Sequence, residues 1–414
     1  MSAVDDLARP LRPIRLRRPL MSPAVGPLSE PLRERIAMVR VLCIGFMIYV
    51  HVPDNAISAI EGIGGTPLAS LLLQGFLVEG VGRASAALLS LVSGLLTAVA
   101  LTRAEPLSLY RRRFRSIIVP MVIWSTVSVA LYALISLVRP TFLQLDGASP
   151  ASAALFYLNT VFFVTDQPVG PTMHLGFLRD LFVCVLLSPL LLALLRRIGV
   201  GLIAALAALY LLDAESVVIL RPLVVFAFTL GLWLAMRGAR LEACDGAWPL
   251  WLALSVVVTV LVMLSGTERA LDSAAAAWFA ERGLDMRESV FYPLSRLFGG
   301  LAIWTIAAKL VGGGWHRRLA RVSPYVFVAF CSHYLVLVVL WEGAVKPLIG
   351  SSEVLSYMVW FAIAPFVAML GAVLIVETTA RVVPPLASIL TGGRVAASGA
   401  PRPTLLQPLE RRRP

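Results

Sequence analysis

The composition of this chain excludes a soluble globular protein and gives no support to a nucleic-acid partner. Of its 414 residues, 58% are hydrophobic and only 14% are charged, whereas soluble domains carry about 25% charged residues. The net charge of +12 comes from basic residues in loops and tails between apolar segments, which is typical of membrane topology. The four cysteines are scattered without a C-x-x-C pair, so we expect neither a disulfide nor a metal site.

The sequence divides into three parts. Residues 1–35 are rich in Arg and Pro without a packing pattern, and we expect a flexible basic cytosolic arm. Residues 36–376 form a transmembrane domain. Its first apolar run has no small-residue cleavage site and carries Arg40 and His51, which favours a retained helix over a signal peptide. Residues 377–414 are predicted to form an interfacial stub and a disordered cytosolic tail.

Ten segments are apolar over nearly the ~20 residues that a helix needs to cross a bilayer. They are 36–54, 82–102, 116–138, 175–195, 198–213, 217–236, 248–265, 289–310, 323–342 and 355–376. The pattern predicts an all-α, polytopic transmembrane helical bundle of about ten spans. Two shorter apolar stretches, 66–80 and 152–164, indicate re-entrant or interfacial helices.

The basic residues predict the orientation of these spans. With the N-terminus in the cytosol, 27 of the 36 Lys and Arg residues fall in cytosolic segments and five in external loops. Such a bias follows the positive-inside rule. We therefore expect a multi-pass membrane protein, surrounded by lipid, with both termini in the cytosol.

Arg40 and His51 stand at the two ends of a ten-residue apolar run in the first span. A charged side chain at the centre of a membrane helix costs about 2.5–3.5 kcal/mol on insertion scales. At a rise of about 1.5 Å per residue, the two residues lie roughly 16 Å apart along the helix. With Arg40 near the cytosolic face, His51 lies past the midplane, where an ionisable residue indicates function.

Other spans add polar residues to the outer half of the bilayer or its middle. They are Arg83, His174, Arg179, Asp180, Arg221, Arg296 and His333. With His51 they come from six helices, and one shared, partly hydrated cavity would keep them away from lipid. Two simpler interpretations stay open, namely a structural Arg179–Asp180 pair and snorkelling of Arg221 or Arg296 to headgroups.

A basic loop precedes the third span. Five of the thirteen residues in 103–115 are Arg, four of them in the run Tyr-Arg-Arg-Arg-Phe-Arg that ends at Arg115. Guanidinium groups bind phosphate oxygens in a bidentate fashion, so the loop suits the phosphates of coenzyme A or of a lipid. Topology alone also explains arginines in a cytosolic loop.

Five stretches in this order resemble the membrane acyltransferase-3 family, whose bacterial members mostly O-acylate surface sugars. They are Arg40-x10-His51, Arg83-x9-Ser93-Gly94, Arg111-Arg112-x-x-Arg115, His174-Leu-Gly-Phe-Leu and Phe330-Cys-Ser-His333. The chain departs from the family in Gly176, where Trp is usual, and in the Ala and Leu that replace the usual Pro and Phe before Ser93. The motifs extend from residue 40 to residue 333.

The resemblance implies a function and a set of site residues. It implies a protein of the bacterial inner membrane that takes an acyl group from acetyl-CoA, or another short acyl-CoA, on the cytosolic side. It also implies His51 as the catalytic residue, with Arg40 important for the donor or for catalysis. We assign the donor phosphates to Arg111, Arg112 and Arg115. A carbohydrate or glycolipid acceptor would meet the polar residues Arg83, His174, Arg179, Asp180, Arg296 and His333.

The predicted reaction is acyl transfer to a hydroxyl, with no metal. A neutral His51 would take the hydroxyl proton as general base or carry the acyl group briefly, and Asp180 or Tyr49 would orient it. One alternative is a succinyltransferase or glucan-modifying relative of the same fold. The other is a multi-pass transporter or lipid-linked sugar flippase, which also needs charges within the membrane.

Overall fold

The computed structural model describes most of the chain as helices. The described residues are 28–53, 68–138, 157–162, 172–212, 220–265, 281, 285–349 and 354–395. The helices are α1 (Glu30–Val50), α2 (Leu68–Gly75), α3 (Arg83–Leu101), α4 (Pro106–Arg113), α5 (Val119–Val138), α6 (Gly176–Ile198), α7 (Val200–Leu211), α8 (Pro222–Arg237), α9 (Trp248–Leu264), α10 (Tyr292–Leu310), α11 (Gly314–Val322), α12 (Val326–Leu340), α13 (Lys346–Ile349), α14 (Val354–Val382) and α15 (Pro384–Leu390). Residues 157–162 are also helical, and no strand occurs in these ranges. The all-helical prediction is therefore confirmed.

Every one of the ten predicted segments contains a helix, but fewer qualify as membrane spans. Seven are long and apolar enough to cross a membrane, namely Ala69–Leu101, Pro106–Ser136, Met173–Ile198, Leu241–Leu264, Ser289–Leu310, Val326–Leu348 and Leu355–Val382. Helices α7 and α8 are apolar but have only 12 and 16 residues. Helix α1 carries four charged residues in its first six positions. A count of ten crossings stays a prediction.

The interpretation of residues 66–80 as a separate re-entrant or interfacial helix was wrong. Helix α2 continues through a wide π-helical turn, Phe76–Gly82, into α3, so that Ala69–Leu101 is one helix of 33 residues. Residues 69–101 contain no Pro that would end the helix, and the polar residues Gln74 and Glu79 are buried inside the protein. Arg83 consequently lies within a long helix and not at its outer start.

Helix α3 packs directly against α8, backbone to backbone. A Cβ atom added at Gly94 would collide with the carbonyl oxygen of Phe228, and one added at Gly231 would collide with that of Leu91. Small residues allow membrane helices to approach this closely. Packing therefore explains the glycine of the Arg83-x9-Ser93-Gly94 motif. The same contact fixes α3 against α8.

We expect the substitution Gly231→Leu to destabilise the bundle, because the added side chain cannot fit between α8 and α3. Overpacking of this kind typically costs about 1–3 kcal/mol and occasionally more. Thermal unfolding of the detergent-solubilised protein measures the effect. Gly201→Leu on α7 is the matched control, since nothing lies near its added Cβ. Equal unfolding temperatures for the two variants would contradict the close contact.

The chain folds back after α14. Pro384 begins α15 after a break at Val383, and the following residues turn at Gly392 and Gly393, where φ is +61° and +78°. We call residues 383–395 the C-terminal segment. The predicted boundary at residue 377 falls inside α14, and the rest of the predicted disordered tail, 396–414, lies outside the described residues.

Candidate functional site

Three of the chain's four histidines meet in one cluster. The ring centroids of His51 and His333 are 5.2 Å apart, those of His51 and His174 are 5.8 Å apart, and those of His174 and His333 are 4.6 Å apart. His51 caps the C-terminus of α1, His174 lies in the short 3-10 turn before α6, and His333 lies in the middle of α12. Residues that the sequence places on three separate helices thus form one site.

Backbone carbonyls fix the hydrogen positions of two of these rings. Nδ1 of His333 lies 2.8 Å from the oxygen of Phe330, and Nε2 of His174 lies 3.2 Å from the oxygen of Cys331. Because a carbonyl oxygen only accepts, these nitrogens carry the hydrogen, and in a neutral ring the other nitrogen is a bare acceptor. Those other nitrogens, Nε2 of His333 and Nδ1 of His174, are buried without a hydrogen-bond partner.

The cluster opens on a cavity of about 400 Å³, which we call the histidine cavity. Its polar lining residues are His51, Arg83, His174, Tyr210, Arg221 and Arg296. The predicted shared cavity therefore has a counterpart in the structure. Of the residues expected there, Arg179, Asp180 and His333 do not line it, although His333 contacts both of the histidines that do.

The carboxylate of Asp180 binds Arg221, which lines the histidine cavity. This side chain is fully buried and accepts hydrogen bonds from Arg179 at 2.7 Å and from Arg221 at 2.6 Å. The predicted Arg179–Asp180 pair is thus extended by Arg221, which reaches the cavity. The other proposed partner of His51, Tyr49, has its hydroxyl 3.4 Å from the backbone oxygen of Ala362.

The remaining cavity arginines have different partners. Arg83 donates to Glu79, with Nε 2.8 Å from the nearer carboxylate oxygen, and Glu79 is only 3% exposed. Sequence reasoning missed Glu79 because it lay in the set-aside stretch 66–80, although its i,i+4 spacing to Arg83 is a usable signal. Arg296 donates to the hydroxyl of Tyr210 at 2.7 Å and lies against the rings of Tyr210 and Tyr292.

A second cavity, of about 430 Å³, contains three arginines. We call it the arginine cavity and define it by Arg40, Arg113 and Arg394; Ser93 also lines it. No Asp or Glu of the described ranges is among its lining residues. The two residues of the Ser93-Gly94 pair therefore have different roles. Ser93 faces this cavity, and Gly94 packs against α8.

The predicted donor arginines lie close to this cavity in sequence but do not line it. Arg111, Arg112 and Arg115 are exposed, and only Arg113 of the basic loop turns inward. Sequence reasoning missed Arg113, yet its i,i+4 spacing from the buried Leu109 and Ile117 places it on the inward face. Arg394 was also missed, because nothing in a polar tail sequence indicates a long-range contact.

Two phenylalanines separate the cavities. Phe177 lines both of them, and Phe330 lines the arginine cavity. Their ring centroids are 6.1 Å apart, and Phe330 lies 5.9 Å from the ring of His174. Arg40 and His51 lie on opposite sides of this aromatic pair, about 16 Å apart along α1 at 1.5 Å per residue. A ligand that spans both cavities must pass Phe177.

The described residues contain no group of three or more His, Cys, Asp or Glu side chains placed to hold a metal ion. The structure places an arginine-lined cavity next to a cluster of histidines. Cationic guanidinium groups suit phosphate, and neutral imidazoles suit proton transfer.

Comparisons with known proteins identify the family of the chain. The acyltransferase-3 family model, described as an acyltransferase domain, matches residues 33–377. The succinoglycan biosynthesis protein ExoH of Rhizobium meliloti (strain 1021) is 30% identical over 377 residues, which are 89% of this chain and 95% of that protein. No solved structure matches the chain. The chain, whose described part contains seven helices suited to crossing a membrane, belongs to the acyltransferase-3 family.

Proposed function

We propose that this protein transfers an acyl group, acetyl as the first candidate, from acyl-CoA to a hydroxyl of a sugar in a surface polysaccharide or glycolipid. The observation that carries the proposal is the pair of cavities on either side of Phe177. One cavity offers arginines to a phosphorylated donor, and the other offers histidines to a hydroxyl acceptor. The relative named for succinoglycan biosynthesis supports a polysaccharide acceptor.

The donor enters the arginine cavity from the cytosol in this proposal. The Arg bias of the loops supports this orientation, since it puts Arg40 and the basic loop on the cytosolic side. The guanidinium groups of Arg40 and Arg113 bind phosphate oxygens of CoA by charge-assisted hydrogen bonds. The pantetheine arm then runs toward Phe177, and the thioester reaches the histidine cluster.

His51 acts as the general base. Its neutral imidazole takes the proton of the acceptor hydroxyl as the oxygen bonds to the thioester carbonyl carbon. The carbon–sulfur bond breaks, and the proton passes from His51 to the departing CoA thiolate, which gives an ester and free CoA. His174 and His333 each donate a ring N–H to a backbone carbonyl, which leaves their other ring nitrogens as acceptors in the cluster that His51 completes.

The acceptor occupies the histidine cavity. Arg83, Arg221 and Arg296 donate hydrogen bonds to sugar oxygens, and Tyr210 offers an aromatic face beside them. Asp180 keeps Arg221 in position from behind. His174 and His333, which are 5% and 0% exposed, close one side of the reacting centre to water, while His51 faces the cavity.

Inverted membrane vesicles test this function, because they supply the native acceptor and expose the cytosolic face. Radiolabelled acetyl-CoA added outside is expected to place label in the glycan or glycolipid fraction as an alkali-labile ester. Labelled succinyl-CoA is assayed in parallel, and the acyl-CoA that gives the faster ester formation is the preferred donor. Phe177→Trp should lower the transfer by roughly 10²-fold, the cost of misplacing reactants by about 1 Å, while CoA binding falls much less, because the phosphates bind at the arginines.

Phe177→Leu is the matched control, since it keeps the passage between the cavities open. Ester formation that is equal in all three proteins would contradict a path past Phe177. A wild-type protein that moves a glycolipid across the membrane without forming an ester would favour the transporter alternative and overturn the proposal.

A further inference from the structure

The C-terminal segment places a third guanidinium group in the arginine cavity. Helix α15 ends at Leu390, and Gly392 and Gly393 then adopt positive φ angles, a conformation that other residues rarely adopt. The backbone N–H of Val395 donates to the Thr391 hydroxyl at 3.2 Å and closes the turn. The guanidinium of Arg394 lies 3.8 Å from the centre of the Phe327 ring, inside the cavity.

The segment is docked firmly enough to position Arg394. Trp124 of α5 donates its indole N–H to the backbone oxygen of Leu390 at 3.3 Å, and Leu390 and Val395 are buried. At Gly392 the segment approaches the backbone oxygen of Ser116 so closely that a Cβ atom would collide with it. The segment therefore packs against the same turn that follows Arg113, and it lies beyond residue 377, where the family match ends.

The three arginines face no counter-charge from the described part of the chain. Among the described residues, neither Arg40, Arg113 nor Arg394 makes a salt bridge, and no carboxylate lines their cavity. Nε of Arg113 is buried without a hydrogen-bond partner, and NH1 of Arg394 donates only to the nearby backbone oxygen of Thr391. Burial, followed by the charges of Arg40 and Arg113, lowers the pKa of Arg394 to about 9. The cations repel one another until an anion enters the cavity.

We infer that Arg394 is a donor-binding residue that, together with Arg40 and Arg113, binds a phosphate group of the CoA moiety. The inference rests on the proposed function for the identity of the donor. Phosphate is the ligand chemistry because several guanidinium forks converge on one cavity without a carboxylate. The C-terminal segment is then part of the active enzyme and not an appendage to the membrane domain.

Arg394→Gln tests the inference in protein purified in dodecyl maltoside, a detergent without phosphate. Hydrogen bonds to a charged group contribute about 1.5–3 kcal/mol, so CoA should bind roughly 10- to 10²-fold more weakly. Binding of S-acetyl-pantetheine, which has no phosphate, should not change. Arg394→Lys keeps the positive charge but loses the bidentate geometry of the guanidinium group, so its affinity for CoA should lie between those of wild-type protein and Arg394→Gln. The matched control is Arg381→Gln, because Arg381 is exposed near the end of α14.

The outcomes separate the inference from the proposed function. If wild-type protein binds CoA and Arg394→Gln binds it equally well, the inference fails and the function stands. If wild-type protein binds neither CoA nor acetyl-CoA, the proposed function fails. If Arg394→Gln binds CoA and S-acetyl-pantetheine more weakly by the same factor, Arg394 has a purely structural role and the inference fails. Phosphatidylglycerol that displaces CoA from wild-type protein but not from Arg394→Gln would make a lipid the natural occupant and overturn the inference.

Discussion

Replacing His51 by Gln is expected to abolish most of the acyl transfer while CoA binding is unchanged. General acid–base groups contribute about 10²–10⁴-fold to rate, and Gln keeps a polar side chain of similar size that cannot take a proton. His51 lines the histidine cavity, whereas the proposed binding site for the donor phosphates lies about 16 Å away along α1 at the Arg40 end. The change should therefore affect kcat and leave the dissociation constant of CoA untouched.

The inverted-vesicle assay measures transfer, and CoA titration of purified protein measures binding. His316→Gln is the control, because His316 is the one histidine outside the cluster and lies on α11 with its Nδ1 accepting from Gly312. Unchanged transfer by His51→Gln, at a matched protein level in the membrane, would exclude His51 as the base. Loss of CoA binding in this variant would indicate that the two cavities do not work separately.

The histidine cluster shows how far a sequence pattern reaches in this chain. The spacing of Arg40 and His51 on one helix defines their separation, since the rise per residue is constant. The cost of polar groups in lipid then predicts that His51, His174 and His333 share one interior site. Their ring contacts confirm that they come together, while their catalytic and binding roles stay predictions.

The arginine cavity shows where the sequence pattern stops. Arg113 differs from its neighbours Arg112 and Arg115 only in the face of the helix on which it lies. The run of arginines does not reveal that face, and only the apolar Leu109 and Ile117 four residues away indicate it. Arg394 depends on a turn after α15 and on docking against α5. Contacts between residues so far apart in the chain follow from packing, and no local periodicity encodes them.

The long helix Ala69–Leu101 was missed for a related reason. Gln74, Gly75, Glu79 and Gly80 interrupt the apolar pattern, so the stretch reads as too broken to cross a membrane. In the folded chain Glu79 is neutralised by Arg83, and the missing side chain of Gly80 makes room for the Thr259 hydroxyl of α9. The polar and small residues that weaken the hydropathy signal therefore form ion pairs and close helix contacts inside the bundle.

Removing the carboxylate of Asp180 should have the largest effect on stability of any single polar substitution that we consider. Asp180 is fully buried between Arg179 and Arg221, whose side chains are 15% and 46% exposed. Breaking a buried ion pair by deleting one partner costs about 3–5 kcal/mol, because the other charge is left uncompensated. We expect the lower end of this range for Asp180→Ala, since Arg221 is partly solvated through the histidine cavity.

Glu342→Ala is the matched control, because it also deletes the acidic partner of an ion pair, Glu342–Lys346, whose side chains are 29% and 44% exposed. An exposed pair contributes about 0–1 kcal/mol, so this variant should unfold near the wild-type temperature. Thermal unfolding of both variants in the same detergent measures the difference. The unfolding temperature of Asp180→Asn should lie between those of Asp180→Ala and Glu342→Ala, since its amide oxygen still accepts a hydrogen bond but carries no charge.

Equal stability of Asp180→Ala and Glu342→Ala would mean that Arg179 and Arg221 find water or other partners without Asp180. The carboxylate would then have no structural role, and a direct contact with the acceptor would become the better explanation for its place beside the histidine cavity.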